Sequence, residues 1–250
     1  MTAPLLQSTT SRRFPWAAVI LGLVGIAILV SLGTWQVKRL AWKEGLLAAI
    51  AERIHSAPRP LADLERQFRE TGDVEYWPVK AEGTFDHARE RHFLATYEGA
   101  SGFYVYTPLK LAGGRFVLVN RGFVPYDRKE ATTRPQGQVE GAVAIVGLAR
   151  NPLTEKPSSM VPDNDPAKNI FYWKDRDEMA RSTGLDPAAL VPFFIDANDA
   201  PNPGGLPVGG VTIVDLPNNH LQYAVTWYGL AAALAGVLGV WLWRRRGEGR

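Results

Sequence analysis

The chain has 250 residues, of which 46% are hydrophobic, and a formal net charge of +3. It contains no cysteine, which excludes disulfides, thiolate metal sites and cysteine nucleophiles. Both ends are apolar and the middle is polar, so we attribute the basic balance to arginines beside membrane spans and expect no nucleic-acid partner.

The N-terminal stretch predicts a membrane anchor. Residues 1–13 form a short tail with two arginines at its end, and an apolar run follows at residues 14–35. This run is longer than the apolar part of a usual signal peptide, and it continues without a break into a polar segment. We therefore interpret residues 14–35 as a first transmembrane helix, in preference to a cleaved signal peptide or a mitochondrial transit peptide.

Residues 220–243 predict a second transmembrane helix. There is no charged residue from Leu221 to Trp243. At about 1.5 Å per residue, this run is long enough to cross a hydrocarbon core of roughly 30 Å. The tail at residues 244–250 is rich in arginine, which places the C-terminus in the cytoplasm by the positive-inside rule. Two spans put both termini on the same side of the bilayer, so the segment between them is expected outside the cytoplasm.

The segment between the spans, residues 36–219, predicts one α+β domain. Apolar residues at helical spacing indicate helices at residues 42–55, 58–70 and 175–184. Alternating or β-branched runs indicate strands at residues 77–85, 91–97, 102–111, 115–125, 138–150, 170–173, 191–197 and 210–216. Gly113 and Gly114 predict a hairpin turn. We expect an antiparallel β-rich domain, either a barrel or a sandwich, with a few short helices.

Catalytic motifs are absent from the sequence, which has no GxSxG, HExxH, P-loop or GxGxxG pattern, so no enzyme activity is expected. The local cluster of Asp86, His87, Glu90 and His92 is interpreted as a solvated loop rather than a metal site, because imidazoles on a strand or turn need not converge. Residues 126–134 are likewise interpreted as a solvated turn.

Arg121 lies among the apolar residues of the predicted strand at 115–125. A cation in that position requires a carboxylate, a backbone carbonyl or a bound anion. We favour a structural ion pair over a contact with a ligand propionate or a partner protein.

His220 begins the second predicted span. Helical spacing places it on one face with Tyr223, Ala224, Trp227 and Ala231. Amphipathic aromatic residues at this depth are typical of an interfacial belt. The same face also suits a flat, apolar cofactor that carries a metal, with the imidazole above an aromatic-walled cavity. The residues alone leave both interpretations open.

Six sequence blocks occur in order along nearly the whole chain: LGTWQVKRLAWKEGLL (32–47), WPVKAEGTFDH (77–87), GFYVYTPLKL (102–111), VLVNRGFVP (117–125), PDNDPAKNIFYWKD (162–175) and PNNHLQYAVTWYGLA (217–231). Together they resemble the Surfeit-locus cytochrome c oxidase assembly family, and the NRGFVP and NNHLQYAVTWYGLA blocks are specific to it. The resemblance favours a bacterial member, a multi-pass protein of the inner membrane with cytoplasmic termini and a large periplasmic domain.

The resemblance implies a role in building haem-copper oxidases, in which the protein binds haem a and assists its insertion into subunit I. The implied partners are cytochrome c oxidase subunit I, the haem a synthesis machinery and the lipid bilayer. The family's candidate axial histidine matches His220, which would ligate the haem iron. Tyr223 or Trp227 would lie against the porphyrin, and the candidate propionate partners are Lys38, Arg39 and Arg121.

We expect the imidazole of His220 to face the first span, with the tetrapyrrole between the two spans. Tyr104 stands where many relatives have a histidine, so no haem role is assigned to that position. The alternative is a haem-free scaffold that stabilises subunit I by helix packing. Small residues at three spacings on the second span suit that role: Gly229/Ala233, Ala232/Gly236 and Ala235/Gly239.

Overall fold

The computed structural model describes residues 16–212 and 218–247. The helices and strands are, in chain order, α1 (Trp16–Ile54), β1 (Arg59–Pro60), α2 (Leu61–Thr71), β2 (Pro78–Phe85), β3 (Arg91–Tyr97), β4 (Ala100–Lys110), β5 (Phe116–Pro125), β6 (Ala142–Arg150), α3 (Arg176–Ser182), β7 (Phe194–Ala197) and α4 (His220–Gly247). The predicted tail at residues 1–13, the first two residues of the first span, most of the predicted strand at 210–216 and the last three residues of the C-terminal tail lie outside the described residues.

The chain divides into two compact units. The helix unit comprises Met1–Ala48 and Asp215–Arg250, and the sheet unit comprises Ala49–Val214. Both α1 and α4 are long and apolar enough to cross a membrane. The helices predicted at residues 14–35 and 42–55 belong to one continuous helix of 39 residues, because no glycine or proline interrupts the polar stretch between them.

Within the helix unit, α1 and α4 run antiparallel and pack through glycine. A methyl group added at Gly22 would lie 2.9 Å from Leu238, and one added at Gly33 would lie 2.9 Å from the ring of Tyr228. Such distances are shorter than van der Waals contact, so these glycines permit an approach that no other residue would permit. On α4, Ala224 and Ala231 are the buried residues of the contact face.

The sheet unit contains a mixed seven-stranded sheet in the order β1-β2-β6-β7-β5-β4-β3. An additional pairing of β2 with β4 joins Thr84 to Lys110 and Phe85 to Leu109. The strands β2, β6, β7, β5 and β4 therefore form a closed ring of pairings, as in a barrel. Most pairings are antiparallel as expected, but β1 pairs with β2 and β5 pairs with β7 in parallel.

The other predicted elements of the sheet unit are mostly confirmed. Helix α2 begins directly after Pro60 and ends at Gly72, whose φ of 69° is the left-handed conformation that glycine favours. Gly113 has a φ of 81° in the turn between β4 and β5, so the predicted hairpin is present. The strand predicted at residues 170–173 is wrong: Ile170 and Phe171 make only isolated bridges to Asp165 and Phe93.

Three hydrophobic clusters lie in the described part of the sheet unit, and two of them hold helices. The first packs α2 against the inner face of the ring through Leu64, Val79 and Ile195. The second packs α3 through Met179 onto Tyr106. The predicted helix at residues 175–184 is thus confirmed as α3, with Asp175 accepting a hydrogen bond from the backbone N–H of Glu178 at its N-terminus.

Candidate functional site

His220 is the first residue of α4, and its ring faces α1 as the sequence predicted. Its Nδ1 lies 2.7 Å from Oε1 of Gln36, which is 8% exposed. An amide oxygen can only accept a hydrogen bond, so Nδ1–H donates and the proton of the neutral imidazole is on Nδ1. The lone pair is therefore on Nε2.

This hydrogen bond on Nδ1 is of the kind that metal-ligating histidines make. Histidines that ligate metals almost always donate their other ring N–H to an oxygen, which fixes the tautomer and the ring orientation. Nε2 of His220 has no hydrogen bond within residues 16–212 and 218–247. Gln36 was not predicted as a site residue, although it follows Gly33 at i+3 on the face of α1 that packs against α4.

Trp227 and Tyr223 are placed differently from each other. Trp227 is half-buried, while Tyr223 is 52% exposed and lies towards the flank of α4. Seven residues of helix bring Trp227 almost above His220, whereas three residues turn Tyr223 by about 60° away from it. The buried part of α4 is thus narrower than the predicted face. His220, Tyr223 and Trp227 lie along one edge of the contact between α1 and α4.

The space between α1 and α4 does not fit a porphyrin in this arrangement, contrary to the expectation of a tetrapyrrole between the spans. The ring of Tyr228 covers Gly33, its hydroxyl lies 3.0 Å from Oγ1 of Thr34, and Leu234 covers Gly25. These contacts fill the interface closer to its middle. The imidazole of His220 is a donor that haem iron accepts, and Tyr223 and Trp227 border the flank of the helix pair beside it.

Lys38 and Arg39 are exposed and lie two and three residues after Gln36 on α1. The guanidinium of Arg39 stacks 3.9 Å above the ring of Trp42. These two cations belong to the same unit as His220, at the end of the apolar part of α1. Arg121 belongs to the sheet unit.

Arg121 occupies a β-bulge in β5. Tyr104 pairs with Phe123 and Tyr106 pairs with Asn120, so Arg121 and Gly122 together oppose a single residue of β4. Bulges redirect a side chain that a regular strand would place elsewhere. The Oδ1 atom of Asn120 accepts a hydrogen bond from the N–H of Gly122 at 3.1 Å, which satisfies the group that the bulge leaves unpaired.

Gly122 is required by this geometry. Its φ is 125°, and a methyl group added there would overlap the carbonyl oxygen of Val208. The segment containing Val208 pairs with Phe123 through two hydrogen bonds of 2.8 Å, so that carbonyl is held in place. The sequence NRG in β5 therefore specifies a β-bulge, and the side chain that the bulge redirects is that of Arg121.

The side chain of Arg121 is 2% exposed, and no carboxylate contacts it among the residues that the structure describes. Nη2 donates to the carbonyl oxygen of Gly137, and Nη1 lies 3.3 Å from Nδ1 of His87. The predicted ion pair is wrong, and a backbone carbonyl takes its place. Burial lowers the pKa of Arg121 to about 10, with Glu90 opposing and Arg134 reinforcing that decrease.

The cluster around Glu90 is buried, so its interpretation as a solvated loop is wrong. His92 is 3% exposed, and Nδ2 of Asn169 donates to its Nδ1 at 2.9 Å. Arg134, from the segment interpreted as a solvated turn, forms a buried ion pair with Glu90. No group of three potential metal ligands was found in the described ranges. Arg134 and Asn169 lie more than 40 residues beyond Glu90, so local spacing gave no signal of this network.

Hydrogen bonds and charge keep Glu90 ionised. Burial raises the pKa of the carboxyl, but the neighbouring His92 and the ion pair with Arg134 lower it further, and the result lies below the ordinary value. His87 is shifted in the same direction, because burial lowers the pKa of its imidazole and the charge of Arg121 adds to that effect. The network therefore contains two guanidinium groups and one carboxylate.

Fold and site together define a class of protein, with a long apolar helix at each end, a mixed-sheet domain between them, and one imidazole oriented at the helix contact. A model of the SURF1 family matches residues 23–232. The chain belongs to the SURF1 family, which confirms the resemblance seen in its sequence blocks.

Relatives in animals are similar over most of the chain. Surfeit locus protein 1 of Rattus norvegicus is 41% identical over 237 residues, which cover 88% of this chain and 72% of the relative. The Homo sapiens protein of the same name is 42% identical over 219 residues, or 81% of this chain and 70% of the relative. A SURF1-like protein of Drosophila melanogaster is 32% identical over 239 residues, or 88% of this chain and 74% of the relative.

Proposed function

We propose that this protein is an assembly factor for haem-copper cytochrome c oxidase, which binds haem a and assists its insertion into oxidase subunit I. Membership of the SURF1 family supports the assembly role, since its members are known as cytochrome oxidase assembly factors. The proposed activity is binding and transfer without catalysis. The proposed partners are subunit I and the machinery that synthesises haem a.

The hydrogen bond from His220 to Gln36 carries the haem proposal. It leaves Nε2 as the basic nitrogen of a partly buried imidazole, beside an apolar helix pair. Haem a supplies an iron that accepts imidazole as an axial ligand. His220 would hold that iron, Gln36 would orient the ring, and Trp227 and Tyr223 would supply apolar contacts to the macrocycle. A single protein ligand suits a cofactor that is to be passed on.

Lys38 and Arg39 are the proposed partners of the haem propionates. They lie on α1 just beyond the level of Gln36, in the same unit as His220. Cations at the end of a membrane span are suited to anionic groups at the interface. Arg121 is a weaker candidate for this role, because most of its donors already serve the sheet unit.

The proposed topology is a bacterial inner-membrane protein with two spans, cytoplasmic termini and a periplasmic sheet unit. The arginines at 244–246, in the last turn of α4, support this orientation. Because the chain has no cysteine, each introduced cysteine is a unique label. In intact cells, a membrane-impermeant maleimide should label Met160→Cys, which is in the sheet unit and 90% exposed, and should not label Gly247→Cys. The reverse pattern would contradict the orientation.

An absorption spectrum tests the haem proposal directly. Protein purified in lipid nanodiscs from cells that make haem a should show a Soret band, and His220→Ala should lose it. Gln222→Ala is the matched control, because it removes an exposed polar side chain two residues away on the same helix. A colourless wild-type protein, or a band that survives in His220→Ala, would remove the basis for haem ligation.

A haem-free scaffold for subunit I is the second candidate. A specific observation favours it: among the described residues, nothing lies within 4 Å of a methyl group added at Gly229, Gly236 or Gly239, so α4 is open at these three positions. Small residues on a lipid-facing helix allow close approach of another helix. Replacement of Gly236 by leucine should reduce co-purification of subunit I under this model and leave any Soret band unchanged.

A further inference from the structure

Arg121 differs from Arg134 and Arg150 of the sheet unit in having no acidic partner. Arg134 contacts Glu90, and Arg150 contacts both Glu75 at 2.9 Å and Asp196 at 2.7 Å. Within residues 16–212 and 218–247, no carboxylate lies within ion-pair distance of Arg121. A buried charge without a counter-ion is costly, and structures keep one where a ligand or a partner neutralises it.

The donors of Arg121 are not all used. A guanidinium has five N–H groups. Nη1 donates to Nδ1 of His87, and Nη2 donates to the carbonyl of Gly137 and, at 3.4 Å, to Oδ1 of Asn202. The Nε–H group and the second hydrogen of Nη1 have no partner in the part of the chain that the structure describes.

Arg121 forms part of the wall of a cavity of about 370 Å³ in the sheet unit. The cavity is lined by one cation, two neutral amides and mostly apolar side chains, with no carboxylate among them. Those residues include Arg121, Asn198, Asn202, Phe85, Val143 and Ile145. The guanidinium carbon lies 4.9 Å from the centre of the Phe85 ring, so the cation sits at the apolar wall of the cavity.

We propose that this cavity binds a monocarboxylate with an apolar body, whose carboxylate pairs with Arg121. One guanidinium without a carboxylate partner matches the single charge of one carboxylate, while a phosphate dianion would call for more positive charge. The apolar walls would contact a hydrocarbon or an aliphatic side chain. This site is independent of the haem proposal, because it uses the sheet unit alone.

The bulge explains how such a site is maintained. A regular strand in place of the bulge would direct position 121 differently, and Asn120 and Gly122 would then be unnecessary. Asn120 ties the bulge to the ring by donating from Nδ2 to Asp196 at 3.0 Å. The cation is thus fixed in place before any ligand arrives, which reduces the entropy lost on binding.

Titration calorimetry with hexanoate tests the proposal on the full chain in lipid nanodiscs, with empty nanodiscs as the blank. Hexanoate should bind saturably, and hexan-1-ol, which has the same body without the charge, should bind roughly tenfold more weakly or worse. A tetrapeptide ending in leucine should displace hexanoate if the natural ligand is a chain terminus, and its C-terminal amide should not. Failure of the free-acid peptide to displace it assigns the site to small acids.

Two variants keep the test decisive. Arg121→Met should reduce hexanoate affinity at least to the level of hexan-1-ol. If that variant does not fold, Ala144→Phe serves instead: it fills the cavity from an exposed position of β6 and should abolish hexanoate binding. Its control is Ala142→Phe, two residues away and outside the cavity lining, which should leave hexanoate binding intact. Equal binding of acid and alcohol, no binding of either, or binding unchanged in Ala144→Phe overturns the proposal.

Discussion

The two units handle buried polar groups in opposite ways. The sheet unit surrounds its charges with several partners each, as Arg150 and Arg134 show, and fixes them by a network that reaches across distant loops. The described residues of the helix unit offer few polar contacts, and among them the side chain of His220 has one partner, Gln36. Polar groups left with unused capacity stand out in both units: Nε2 of His220 in one and the free donors of Arg121 in the other. Unused hydrogen-bonding capacity, more than burial, identifies the candidate binding groups.

The largest expected effect tests whether the sheet unit depends on its bulge. Gly122→Ala should reduce the free energy of unfolding of this unit by about 3 kcal/mol or more, because the methyl group meets a fixed carbonyl at a positive φ. Gly141→Ala is the matched control: its φ is 82° with nothing within 4 Å, and it should cost about 1 kcal/mol. Pulse proteolysis in urea measures both. Equal losses would show that backbone strain alone, and not the bulge contact, requires glycine.

The next effect concerns the buried ion pair. Glu90→Gln should destabilise the sheet unit by about 3 kcal/mol, since it leaves Arg134 charged and unneutralised. Arg134→Met alone should cost a similar amount. The double variant Glu90→Gln with Arg134→Met should be less destabilised than the sum of the two single changes, because no lone charge remains. Additive losses in this double-mutant cycle would mean that the two groups do not act as a pair.

The sequence predicted the elements of both units far better than their polar contacts. Helical and alternating apolar spacing placed α2, α3 and most strands, because those patterns are local. It failed at residues 170–173, where the apolar run IFYW packs under β3 with bridges but no ladder. The parallel pairing of β5 with β7 joins Val119 to Ile195 across 76 residues, and no local pattern encodes such a partner.

The candidate site shows the same limit. His220 was identified because a lone ionisable residue at the edge of an apolar run is unusual. Gln36 lies 184 residues earlier, at the start of the polar segment that follows the first predicted span, so its hydrogen bond to His220 was visible only in the folded helix unit. The glycines of α1 carried a usable signal, since Gly22, Gly25 and Gly33 fall near one face of a helix and permit close packing.

A test of Gln36 sharpens the contrast from the side of the helix unit, and it rests on haem binding. Gln36→Leu should weaken haem a binding by about 10–100-fold, because the partner that orients the ligating imidazole is lost. Gln36→Glu retains an oxygen acceptor and should restore most of the affinity. Spectral titration measures both, and nitrogen-15 NMR of the haem-free protein should show that Nδ1 of His220 is no longer the protonated nitrogen in the leucine variant. Unchanged affinity together with an unchanged tautomer would make Gln36 a packing residue.

The smallest expected effect is the pH dependence that His87 gives to the sheet unit. Burial lowers the pKa of His87 below its ordinary 6.5 in the folded state, and the charge of Arg121, which donates to Nδ1, adds to that decrease, while the hydrogen bond from Nε2–H to the carbonyl oxygen of Val139 opposes it. At pH values between that lowered pKa and 6.5, the unfolded chain binds more protons than the folded chain. The free energy of unfolding therefore decreases as the pH falls below 6.5. His87→Gln cannot titrate and should flatten the decrease in thermal midpoint between about pH 6.5 and pH 5, while His55→Gln, at an exposed histidine, should keep the wild-type slope. A slope that survives in His87→Gln would place the titrating group elsewhere and would remove the imidazole from the set of partners that hold Arg121 in its bulge.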